Sequence, residues 1–230
     1  MAFTNTGSFN HSGRGTTRIG VPFENRGLIL AGGGTLTFAS ALDQRGNIGL
    51  ESALLNLLLP TTNHGRITGN GKILGDITNA PGAHIDPGLS PGTLIIQGSY
   101  THAAGSVLDI ELQNRTIFDQ LLIDGSANLL GGELALHCFA LCGLRIGDSM
   151  DVLDVTGELV GAFDSVRLHG FGAGWLFDVG YDYVSDRVLL TVLQVGTPGR
   201  VDEPGTALLL FLALTILYRR QNRRFVSGTN

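Results

Sequence analysis

Three features of the sequence predict an all-β chain: a parallel β-helix that continues into a further β-rich region and ends in a short hydrophobic helix. The first is a repeat. Asn5-Thr-Gly7, Asn25-Arg-Gly27, Gln44-Arg-Gly46 and Asn63-His-Gly65 recur at steps of 20, 19 and 19, and Asn79-Ala-Pro81 follows 16 residues later. The second is that the flanks keep the same register: Phe3, Phe23, Leu42, Thr61 and Ile77 stand two residues before these positions, and Phe9, Ile29, Ile48 and Ile67 stand four after the first four. A period near twenty belongs to a solenoid, in which each coil buries its apolar face only by stacking on the next. The third is composition: 34 glycines with 7% aromatic residues favour many tight turns over helices.

Residues 1–97 are read as coils. Short alternating strands broken by glycine, as in Gly34-Thr-Leu-Thr-Phe38 and Gly71-Lys-Ile-Leu-Gly-Asp-Ile77, give the texture of each turn. The Asn series is expected to adopt the left-handed turn conformation and stack amide on amide, a structural ladder rather than a binding site. Leu50 to Leu59 fits either a short helix or a coil insertion. Coil one opens at Phe3 with no cap before it, so the chain is expected to be truncated at its N-terminus. Met1 to Gly7 also shows neither the basic nor the apolar part of a secretory signal.

After Asn79, repeated Pro-Gly pairs impose tight turns, and Thr93 to Ile96 leaves them as a strand. Residues 98–196 form the further β-rich domain, with alternation in Val107 to Leu112, a run from Leu121 to Ile123, and Val184 to Val195 closing it. Asp109 and Glu111 share one strand face; a solvated face is the expectation, a carboxylate pair the alternative. Cys138 and Cys142 are expected to be two small buried hydrophobes, with pairing in an oxidising compartment as the alternative. His137 and Cys138 point to opposite faces of a strand and no second ligand pair follows, so no metal is assigned. Trp175, Phe171 and Phe177 are expected to plug the end of the core, with sugar stacking as the other reading.

Residues 197–230 comprise a linker, the hydrophobic helix and an Arg-rich tail. Ala207 to Tyr218 is interrupted only by Thr215 and a tyrosine hydroxyl, so a helix there has no wet face. Its twelve positions span about 18 Å against a bilayer core of about 30 Å, which also fits a core or interfacial helix. Membrane insertion is the expectation, because Arg219, Arg220, Arg223 and Arg224 follow directly and can snorkel over the mismatch. Arginines beside a membrane helix normally stay cytoplasmic, which sends residues 1–200 to the other side.

Ahead of that tail the chain carries eleven basic and eighteen acidic residues, a net charge of −7. An acidic body excludes nucleic acid as an expected partner, since phosphate binding needs a basic face. Gly65-Arg-Ile-Thr-Gly-Asn-Gly-Lys72 lacks the spacing of a phosphate loop and has Ile73 where Ser or Thr would hold magnesium. The six histidines are dispersed in sequence and no Gly-x-Ser-x-Gly elbow occurs, so no cofactor and no catalytic residue are assigned. Asp43, Asp76 and Asp86 are the carboxylates that a glycan-cleaving β-helix would use, but they occupy different coil positions and are not expected to converge.

Two stretches resemble known families. Val201 to Arg224, with an acidic-Pro motif, an apolar run, an arginine cluster and the chain end, resembles the PEP-CTERM sorting tail. Glu203 and Pro204 match the second and third positions of its Pro-Glu-Pro signature, and Asp202 stands in place of the first proline. The block Pro87-Gly-Leu-Ser-Pro-Gly92 is similar to the end of β-helical passenger regions in autotransporter-like surface proteins and PEP-CTERM proteins. So are Ser106 to Leu112, Phe118 to Gly125, Gly131 to Leu136 and Gly147 to Leu153. Together the resemblances imply an exported bacterial protein held at the membrane by its C-terminal helix and handled by the membrane protease exosortase. The expected role is that of a non-catalytic surface or exopolysaccharide-matrix protein with an adhesin-like body, in the cell envelope or outside the cell. The alternative is a polysaccharide lyase or hydrolase.

Overall fold

The computed structural model describes residues 2–89, 91–138 and 142–197. Asp202, Glu203, Pro204, the apolar run Ala207 to Tyr218 and the four tail arginines Arg219, Arg220, Arg223 and Arg224 lie outside the described residues. So does the expected C-terminal helix. Among the described residues no helix is long and apolar enough to cross a membrane.

The chain winds as a three-sided solenoid. Its first coil is β1 (Phe3–Asn5), β2 (Ser8–His11) and β3 (Thr16–Ile19); its second is β4 (Phe23–Asn25), β5 (Leu28–Ala31) and β6 (Thr35–Phe38). The third is β7 (Leu42–Gln44), β8 (Asn47–Leu50) and β9 (Leu54–Leu57), and the fourth β10 (Thr61–Asn63), β11 (Arg66–Gly69) and β12 (Lys72–Leu74). Next come β13 (Ile77–Asn79), β14 (His84–Pro87) and β15 (Thr93–Gln97), then β16 (Tyr100–His102), β17 (Val107–Asn114), β18 (Ile117–Phe118) and β19 (Gln120–Asp124). A seventh coil holds β20 (Ala127–Leu130), β21 (Glu133–Cys138) and β22 (Ser149–Val155). It is followed by β23 (Leu159–Ala162), β24 (Ser165–His169), β25 (Leu176–Asp182) and β26 (Arg187–Gln194). The Leu50–Leu59 stretch, open between helix and insertion, is thus an ordinary coil side, entered through a turn in which Ser52 adopts φ 60°.

Stacking gives three sheets. The first runs β1-β4-β7-β10-β13-β16-β20-β23 and the middle one β2-β5-β8-β11-β14-β17-β21-β24. The third runs β3-β6-β9-β12-β15-β19-β22-β26-β25. All pair in parallel except the β17–β18 excursion and the terminal β22–β26–β25 meander. All three sheets cross residues 97 and 98 without a break.

The core is a set of columns. On the middle sheet, Phe9, Ile29, Ile48, Ile67, Ile85, Leu108 and Leu134 fall in register, and from Ile29 onward they are buried. Opposing them on the third sheet are Leu36, Leu55, Ile73, Ile96 and Ile123. Burying such a side chain contributes about 1.5–3 kcal/mol, which is what repays ordering short strands that have no local cohesion.

The Asn series is a ladder, but not a left-handed one. Asn5, Asn25, Gln44, Asn63 and Asn79 are buried inside strands, and the described non-glycine residues with positive φ are Ser52 and Asp186. Extended backbone aims each amide along the solenoid axis. Asn5 Nδ2 donates to Asn25 Oδ1 at 2.8 Å, Asn25 Nδ2 to Gln44 Oε1 at 2.7 Å, and Asn63 Nδ2 to Asn79 Oδ1 at 2.8 Å. Gln44, one methylene longer, turns its Nε2 back to the Gly46 carbonyl at 2.7 Å.

Cys138 and Cys142 form a disulfide, which corrects the expectation of two unpaired buried residues. Their Cα atoms are 5.5 Å apart, within the range a bridge needs.

Candidate functional site

Alternation along each strand of the middle sheet sends every second side chain outward. On β17, Leu108, Ile110 and Leu112 go to the core while Asp109 and Glu111 go out; on β14 the outward pair is His84 and Asp86. Parallel register then sets Arg66 of β11 beside His84, Glu111 beside His137 of β21, and His137 beside His169 of β24. Residues far apart in the chain are thereby gathered into one polar strip across five neighbouring strands.

Asp109 is its hub. His84 Nδ1 lies 2.7 Å from Asp109 Oδ2 and His137 Nε2 lies 3.0 Å from Oδ1, so both carboxylate oxygens are engaged. Arg66 Nη1 donates to Asp86 Oδ2 at 2.6 Å and stands 3.4 Å from Asp109 Oδ2. Arg66 Nη2 is 3.1 Å from His84 Nδ1. Since arginine offers donors only, the hydrogen on His84 Nδ1 belongs to the Asp109 contact. The His137 and His169 rings stack with centroids 4.6 Å apart and planes 9° apart. Alongside, Arg167 Nη2 pairs with Glu133 Oε2 at 3.0 Å.

The environment moves these groups in different directions. Burial would raise the Asp109 carboxyl, but hydrogen bonds from His137 and His84 and the Arg66 charge outweigh it and hold the group below its ordinary range. Burial pushes Asp86 up against the pull of Arg66, with the Asp109 charge adding to the rise. The hydrogen bond to Asp109 raises His137 despite its burial. His169 is lowered by burial and by the neighbouring His137 and Arg167 charges.

Beneath the strip lies Asp119, fully buried. Gly92 N–H donates to its Oδ1 at 2.7 Å and Glu111 N–H to its Oδ2 at 2.8 Å, tying Gly92 to β17. Gly88 has φ 98°, and a side chain there would collide with Asp119 Oδ1. Burial carries the Asp119 carboxyl up to about 7 against the two backbone donors, with Glu111 and Asp86 adding to the rise.

The three carboxylates singled out in the sequence sit apart. Asp43 pairs with Arg45 at 3.0 Å on the first sheet, Asp76 Oδ1 accepts from Ser99 N–H at 2.8 Å at a corner, and Asp86 belongs to the strip. Asp109 and Glu111 do share an outward face, but the expectation of a solvated face fails at Asp109, which its two imidazole partners bury. Trp175, Phe171 and Phe177 pack against the core, Phe171 edge-on to both neighbours with centroids 5.3 Å away. Nothing in the sequence spacing of Arg66, His84, His137 and His169 marks them as a group. Among the described residues no His, Cys, Asp and Glu cluster has the arrangement to hold a metal ion.

No protein-family model matches this chain, and no curated protein matches it in sequence.

Proposed function

We propose that the chain is a non-catalytic, exported surface or exopolysaccharide-matrix protein, adhesin-like in its body and held at the membrane by the PEP-CTERM-like tail around Asp202, Glu203 and Pro204. One observation carries the non-catalytic part. The polar strip lies on the outward face of a sheet, and its Asp109 oxygens are both spent on neighbouring imidazoles rather than aimed at a reacting position. Long stacked faces of this kind offer contact area, which suits adhesion more than turnover. The disulfide between Cys138 and Cys142 supports an oxidising compartment outside the cytoplasm. On this reading the C-terminal helix makes the membrane contact and exosortase handles the tail.

A glycan-cleaving enzyme is the second reading, favoured by the same hub: a carboxylate that orients an imidazole is how a general base is prepared. Purified protein incubated with acidic and neutral polysaccharides separates the two. Retention of the protein on polymer with no new chain ends is the expected result. Release of oligosaccharides, abolished by Asp86→Ala or Asp109→Ala, would establish the enzyme instead.

A further inference from the structure

We infer that the outer face of the middle sheet, from Arg66 to His169, binds a linear acidic polysaccharide with one carboxylate per sugar, laid along the solenoid axis; this rests on the matrix reading above and names its ligand.

The order of exposure carries it. In each ion pair of the strip the cation stands outermost: Arg66 is 36% exposed over Asp86 at 27% and Asp109 at 9%, and Arg167 is 65% exposed over Glu133 at 19%. His84 at 33% and His137 at 35% likewise overlie Asp109. A body of net negative charge therefore presents donors at this face, with its own carboxylates beneath them. Spacing supplies the second argument. Strands repeat about every 4.8 Å, so the five from β11 to β24 spread Arg66, His84, His137, Arg167 and His169 over about 19 Å of the axis, a length that a linear polymer spans and a single sugar does not. Duplex nucleic acid carries a charge about every 1.7 Å of axis, so the net acidic body repels it more strongly than a polymer with one carboxylate per sugar.

The face also responds to pH. His137 faces Asp109 and Glu111 on β17, Asp86 on β14 and the stacked ring of His169 on β24. Its protonated form is the one that Asp109 favours, so acidification adds positive charge to the layer that meets the ligand.

The test measures retention of the full chain on immobilised polygalacturonate, with dextran and a duplex DNA as comparison polymers, in low salt at pH 5.5 and pH 8. Polygalacturonate should be bound more tightly at pH 5.5, and His137→Gln should flatten that pH dependence. Arg167→Gln, an exposed change that leaves the Asp109 hub intact, should weaken binding by about threefold. Arg66→Gln should weaken it further, and circular dichroism identifies any loss caused by misfolding. Dextran bound as well as polygalacturonate, or wild-type binding by both Arg167→Gln and His137→Gln, would overturn the inference and leave the matrix reading standing. Tighter binding to DNA would replace the glycan with nucleic acid. No retention on any glycan would remove both this inference and the reading beneath it.

Discussion

Asp119 shows how one side chain can set a local structure and a pH response together. Its two oxygens hold the Gly92 and Glu111 amides, so Gly92 is positioned by a carboxyl group 27 residues further along the chain. That carboxylate is buried near Glu111 and Asp86, and its folded-state value of about 7 lies above the ordinary aspartate range. A raised value means that the stability it contributes is fully present below about pH 4 and is lost as pH rises through about 7. Asp119→Asn should remove that slope from a plot of unfolding free energy against pH. It should also lower stability at pH 4 by about 1–3 kcal/mol, because an amide cannot accept from both backbone donors. An unchanged slope would assign the pH dependence to other groups.

Coils, rather than residues, are the units the sequence states openly. Where the repeat is regular, corner glycines lie one above another: a β-carbon on Gly46 would overlap the Gly27 carbonyl oxygen, and one on Gly65 the Gly46 oxygen. Gly46→Ala should therefore cost about 1–3 kcal/mol by forcing two coils apart. Gly7→Ala, with nothing near its added carbon, should stay within about 0.5 kcal/mol of wild type. Urea midpoints of the two variants check the contrast, and equal midpoints would refute it. The same regularity explains what could be read in advance. The Phe3 and Phe9 columns and the Asn ladder follow from a constant step, and they reappear in the register of the strands. Beyond Asn79 the starts of successive first-sheet strands, at Ile77, Tyr100, Ala127 and Leu159, drift apart as the corners lengthen. A period that changes at every turn conceals which outward residues meet, and so His84, Asp109, His137 and His169 looked unrelated. The Cys138–Cys142 bridge is illegible for a related reason: a spacing of four residues allows a bridge only when the two Cα atoms approach, and nothing in the repeat fixes that distance.

At the scale of the whole molecule, the backbone bonds between coils, such as Arg26 N–H to Asn5 O and Arg45 N–H to Asn25 O, point from one coil to the next. Covalent linkage runs around each coil, while cohesion along the axis is left to hydrogen bonds and side-chain stacking. Such a body is mechanically anisotropic. Drawn out by its ends, it should peel like a spool, each coil bearing the load until its own three strands release. Force spectroscopy on the chain held by its termini should give a ratchet of small ruptures. The early coils, of 19 or 20 residues, should each add about 65 Å of contour length, and the later, longer coils correspondingly more. One large rupture carrying the full extension would mean that the coils share load. A molecule that yields in steps dissipates work over a long extension, which makes it a shock absorber for whatever it tethers.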